Sequence, residues 1–138
     1  MKQMEYDGSG VTRVLHVENC NGEQIVVLNV RGSHPCAYVS VSLTDELADK
    51  ILTLALPYDY FGTSNDSYVH GGFTYGKFGK PFEAEEIRDS FWLGWDYAHL
   101  GDYCADGLLH RFYEKEWTTE EIVEEARSIA GNVEFCND

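Results

Sequence analysis

No run of about 18 apolar residues occurs in this chain, so no segment is long enough to cross a bilayer as a helix. The first residues, Met1-Lys2-Gln3-Met4-Glu5-Tyr6-Asp7-Gly8, lack the basic start and apolar run of a secretory signal. The expected location is therefore cytoplasmic, with no membrane among the partners. Only three prolines are present, and there is no Pro-rich hinge, low-complexity linker or internal repeat. Cysteine is sparse and scattered: Cys20, Cys36, Cys104 and Cys136 form no C-x-x-C pair. In a reducing compartment such residues read first as free thiols, next as one metal ligand, and last as a disulfide framework. The P-loop, G-x-S-x-G, H-E-x-x-H and G-x-G-x-x-G patterns are all missing.

Positive charge is also scarce. Ten Lys and Arg stand against 24 Asp and Glu, a net charge of −14 and a pI near 4.5. Such a surface repels phosphate backbones, which excludes direct sequence-independent nucleic-acid binding. It is attracted instead to basic protein surfaces, including the channels in which enzymes hold nucleic acid. A solvated, merely solubilising surface is the competing account.

What remains is ample for a core. The 138 residues are 43% hydrophobic and 14% aromatic, enough for one domain over 1–138 that folds without disulfides. Residues 11–18 and 24–31 are rich in β-branched side chains, and Asn21-Gly22 between them predicts a hairpin turn. Residues 36–43 alternate as a third strand. Residues 44–52 switch to helical spacing, with Thr44 as N-cap and Leu47, Ile51 and Leu54 on one face. Residues 57–67 read as loop, 68–75 as a strand interrupted by two glycines, 76–87 as irregular, 91–97 as an aromatic strand and 97–107 as a functional loop. Thr118-Thr119-Glu120-Glu121 is a capping box opening a last helix, with Ile122, Ala126, Ile129 and Ala130 as its apolar stripe and Gly131 as its terminator. The expected class is α+β: a mostly antiparallel sheet with one or two covering helices.

Two stretches carry chemistry-bearing side chains. One is Val69-His70-Gly71-Gly72-Phe73-Thr74-Tyr75; the other is Gly94-Trp95-Asp96-Tyr97-Ala98-His99-Leu100-Gly101-Asp102. Asp96, His99 and Asp102 are spaced i, i+3, i+6, so on a turn-like backbone they can converge on one ion, with His70 arriving from a neighbouring strand. Imidazole and carboxylate ligands suit zinc, and other divalent metals are open alternatives. The expected metal site takes His70, Asp96 and His99, with Asp102, His34, a cysteine or water in fourth place. Gly71 and Gly72 are expected to let another backbone approach His70 closely. The alternative is that these histidines and aspartates only pack and cap turns. His16 and His110 read as structural or surface residues.

The Tyr38-Val39 strand, the Val-His-Gly-Gly-x-Thr-Tyr stretch and the Gly-Trp-Asp-x-x-His-x-Gly-Asp stretch together resemble a set of small proteins of phages and mobile elements. The likeness covers residues 68–103 and neither the first hairpin nor the last helix. Many relatives carry Cys where this chain has Tyr97, which rules out a thiol ligand there. Within that set the chain is similar to metal-binding type II anti-CRISPR proteins. The resemblance implies zinc held at His70, Asp96 and His99, action in the host bacterial cytoplasm, and inhibition of an RNA-guided CRISPR effector nuclease by blocking target DNA loading. Such nucleases hold their heteroduplex in a basic channel. Fifteen acidic and four basic residues lie from Glu83 onward, a net of −11, so Glu120, Glu121, Glu124 and Glu125 of the last helix are the expected partner-binding residues. A stoichiometric inhibitor is thus expected rather than an enzyme. The alternative is a metal-dependent hydrolase acting on a nucleotide or phosphoester, with Asp102 as base.

Overall fold

The structure is a computed structural model, and it describes residues 10–104 and 114–136. Its centre is a five-stranded antiparallel sheet in the order β1 (Arg13–Cys20), β2 (Glu23–Val30), β3 (His34–Val41), β6 (Ser90–Asp96), β5 (Tyr75–Gly79). Strands β1 (Arg13–Cys20), β2 (Glu23–Val30) and β3 (His34–Val41) run as successive hairpins. The first turn is Asn21-Gly22, with φ of 54° and 82°. Positive φ at both central residues gives the turn the twist of the flanking strands, as Asn-Gly predicted. β3 begins two residues earlier than the alternation suggested, so His34-Pro35 opens the strand, paired with Val30 and Asn29.

α1 (Asp45–Ile51) starts at the expected cap, the Thr44 hydroxyl accepting from the Leu47 amide. A 3-10 turn (Pro57–Tyr60) and β4 (Phe61–Thr63) occupy the stretch read as loop. The fifth strand is displaced from its expected place. Residues 68–74 form no strand and turn at His70-Gly71, and β5 is Tyr75–Gly79, all but its first residue inside the stretch expected to be irregular. The reason is local: Gly71 and Gly72 have φ of 72° and 81°, and two successive left-handed residues cannot continue a strand. β6 (Ser90–Asp96) follows, then α2 (Thr119–Ile129) and β7 (Val133–Phe135). β7 pairs with β4 as a separate two-stranded ribbon. No helix among the described residues is long and apolar enough to cross a membrane.

Alternate residues of each strand face opposite sides of the sheet. On one side Ile25, Val27, Val39, Leu93 and Trp95 pack against Ile51 of α1 and Ile122, Ala126 and Ile129 of α2. On the other, Val26, Leu28 and Trp92 meet Ile87 and Phe82 of the connection before β6. Burial on both faces explains the unbroken apolar run Ile25-Val26-Val27-Leu28. The fold is therefore the expected α+β domain, and its sheet carries the two motif stretches to one end.

Candidate metal centre

Each motif histidine is carried by a turn. The Gly72 amide donates to the Val69 carbonyl at 2.9 Å, closing a turn whose third residue, Gly71, has φ 72°. A positive φ at that position is the geometry of a type II turn and places His70 at its second corner. The Asp102 amide likewise donates to the His99 carbonyl at 2.8 Å, with Gly101 at φ 95° in the third position. His99 and Asp102 are thus the two ends of one turn, which is why they meet.

The three side chains converge at Asp102, whose side chain is only 5% exposed. His70 Nε2 lies 2.8 Å from Asp102 Oδ2, and the same oxygen accepts from the His99 backbone amide at 3.0 Å. Trp117 Nε1 donates to Oδ1 at 2.9 Å. Burial pushes the carboxyl pKa up, but the donors from His70, the His99 amide and Trp117 together outweigh it and hold Asp102 below the usual carboxylate range. The His70 ring is clamped by aromatics. It stacks on Tyr97 at 4.5 Å and 12°, and meets Trp117 edge-on at 5.0 Å.

His99 completes the group. Its Nδ1 is buried, stands 3.4 Å from Asp102 Oδ2, and has no hydrogen-bond partner among the described residues. An orphaned buried ring nitrogen costs about 1–3 kcal/mol unless a group beyond the described residues satisfies it. Gly71 makes room for this ring: a Cβ there would lie 2.4 Å from His99 Cε1. A side chain, not a backbone, is therefore what approaches the His70 turn, and Gly72 faces open space.

His70, His99 and Asp102 offer ligand atoms that all lie within 4.8 Å of one another, and the group could hold a metal ion. Tetrahedral zinc with bonds of 2.0–2.1 Å sets ligand–ligand separations of about 3.3 Å. The observed 2.8 Å and 3.4 Å to Asp102 Oδ2 bracket that value. The donor set and the orphaned nitrogen fit a divalent ion.

The four expected ligands are not brought together equally. Asp102, assigned only a share in the fourth place, is the hub. Asp96 is at the far side of the His99 ring, its Oδ1 3.6 Å from Nε2 and accepting from the Ala98 amide at 3.1 Å. That is where a carboxylate orients a metal-bound imidazole rather than binding the metal. His34 lies outside the group, its Nδ1 beside the Ser33 hydroxyl at 3.1 Å. His16 pairs with Glu18 on β1 at 2.6 Å, and His110 and residues 105–107 of the expected loop lie outside the described residues. None of the four cysteines is in a disulfide, and none joins the three-residue group. Burial raises the Cys36 thiol to about 12, which leaves it protonated and inert.

No protein-family model, curated protein or solved structure matches the chain. What the centre can do is read from its own geometry.

Two residues outside the expected set complete it. Trp117 precedes the α2 cap and is fixed by a parallel bridge between Asp102 and Lys115, with the Lys115 amide donating to Gly101 at 2.7 Å. Tyr97 is fully buried, accepts from Trp95 Nε1 at 3.0 Å and donates to the Glu125 carboxylate. That bond turns Glu125 inward. Glu121 is also engaged, closing the capping box and pairing with Lys115 at 2.8 Å. Of the four α2 glutamates expected at a partner surface, only Glu120 and Glu124 are exposed, and Glu124 lies 3.3 Å from Arg127.

Proposed function

We propose that this chain is a zinc-binding, acidic anti-defence protein that acts by stoichiometric binding. It occupies the basic nucleic-acid channel of an RNA-guided type II CRISPR effector nuclease and blocks target DNA loading in the host cytoplasm. The observation that carries the metal is the convergence of His70, His99 and Asp102 on one point, with His99 Nδ1 buried and unsatisfied among the described residues. The net charge of −14 supports the choice of partner, because a basic channel attracts an acidic domain over a Debye length of about 8 Å at physiological salt. In this reading the ion is structural: it joins the 68–74 and 97–103 turns to the start of α2.

A metal-dependent hydrolase is the second reading. Its support is that His99 is 37% exposed, so the centre is reachable from solvent. Its weakness is the base. Both oxygens of Asp102 are already held by N–H donors, which leaves this carboxylate little capacity to accept another proton.

The deciving experiment is metal content by elemental analysis and native mass spectrometry for wild type, His70→Ala and His99→Ala, followed by a nuclease-inhibition assay. One zinc per chain, lost in both variants, with inhibition saturating at one protein per nuclease, is the expected result. Zinc without inhibition, together with turnover of a phosphoester, selects the hydrolase. A wild type that takes up no metal removes both readings.

A further inference from the structure

Asp102 would serve a metal through one oxygen only if something holds the other, and we infer that Trp117 does so. It is the positioning residue that makes Asp102 a one-oxygen ligand and sets the affinity of the centre. The inference rests on the metal reading above. Trp117 comes from outside both motif stretches, yet it touches two of the three ligands. Its Nε1–H donates to Asp102 Oδ1 at 2.9 Å, and its ring meets His70 at 5.0 Å and 64°. With Oδ1 engaged, Oδ2 alone faces His70 Nε2 at 2.8 Å and His99 Nδ1 at 3.4 Å.

The indole is itself fixed from three sides. The Tyr103 amide donates to the Lys115 carbonyl at 2.8 Å, tying the segment before Trp117 to the Asp102 turn. The Lys115 ammonium lies 4.7 Å from the indole ring centroid. Thr118, the next residue, is the N-cap of α2, so the indole occupies the position preceding the cap, where a hydrophobic residue sets the entry angle of a helix. A donor held this firmly selects one carboxylate rotamer before any ion arrives. Preorganised outer ligands of this kind are worth 10–100-fold in metal affinity.

The test is a zinc and cobalt titration of wild type, Trp117→Phe and His70→Ala, with competing chelator, melting temperatures with and without metal, and the visible spectrum of the cobalt form. Trp117→Phe keeps an aromatic ring against His70 and Tyr97 but deletes the N–H donor. The expected result is an affinity about 10–100-fold below wild type, a smaller metal-induced rise in melting temperature, and a cobalt spectrum altered because Asp102 turns both oxygens to the ion. A ring that merely packs would lower the metal-free and metal-bound melting temperatures equally and leave affinity within twofold; that outcome overturns the inference. Should Trp117→Phe not fold, the indole N–H resonance of Trp117 in the wild type decides. It should stay slow to exchange with solvent when zinc is added, and rapid exchange in the zinc form overturns the inference. Failure of wild type to bind either metal overturns the metal reading itself, a result distinct from normal binding in Trp117→Phe.

Discussion

The two adjacent glycines of the first motif do different work, and the difference is testable. Gly71 and Gly72 both have positive φ, 72° and 81°, so a side chain at either is strained by about 1–3 kcal/mol. Only at Gly71 would the new Cβ also strike the His99 ring, at 2.4 Å from Cε1 and 2.5 Å from Nε2. Gly71→Ala should therefore lose stability and zinc affinity together, whereas Gly72→Ala should lose stability alone. Parallel melting and zinc-competition measurements check this; equal zinc affinity in the two variants would show that the ring does not need the space. At this scale the sequence named His70, His99, Asp96 and Asp102 because His and Asp between glycines are conspicuous. It could not rank them. Asp102 becomes the hub through donors that include Trp117, 15 residues away, and Asp96 is moved outward because the turn presents the other edge of the His99 ring to it.

Elements that announce themselves locally were legible: the Asn-Gly hairpin, the Thr44 cap and the Thr118–Glu121 box all lie where their residues predict. Those that depend on distant partners were not. β4 and β7 are three residues each, too short for a period, and exist because Phe61 and Phe135 pair across 74 positions of chain and pack at 5.3 Å. The link between β6 and α2 is of the same kind. Tyr97 bridges Trp95 and Glu125, so Tyr97→Phe strands the Trp95 N–H and the Glu125 carboxylate and should cost about 1–3 kcal/mol, read from denaturant unfolding. A change below the error of the measurement would show that water replaces the hydroxyl. β1 is joined to α2 by Arg127, which grips both oxygens of Glu18 at 2.8 Å. Hydrogen bonds from Arg127 first, then His16, lower the Glu18 carboxyl from 4.5 to about 2. A depressed carboxylate stabilises the fold above its unfolded pKa and loses that contribution as pH falls. Wild type should therefore lose more stability than Arg127→Met between pH 4.5 and about 2. Melting curves that stay parallel through that window would remove the pair from the account.

In the whole molecule the centre has an unequal reach, because the sheet and the metal-side turns are held by different forces. β2 is an interior strand, apolar on both faces and paired along its length with β1 and β3. The turns carrying His70, His99 and Asp102 and the chain entering α2 are joined instead by a few backbone bonds and by the side chains on Asp102. If the ion is structural, its binding energy is folding energy for those segments first. Chelation should then speed amide exchange at Asp102, Tyr103, Lys115 and the first turn of α2, while β2 amides keep their protection. Hydrogen exchange of the zinc-loaded and chelated protein decides between two arrangements. Loosening confined to the metal-side segments means that a preformed sheet carries a separable clamp, which a partner could engage without disturbing the core. Loosening that spreads through β2 means that the ion holds the entire domain, and then any effect of chelation on the proposed partner binding would have to be read as unfolding. The two-sided burial of β2 favours the first arrangement; if the chain binds a basic partner as proposed, charge reversal of the exposed Glu120 and Glu124 should weaken that binding most at low salt without altering metal affinity.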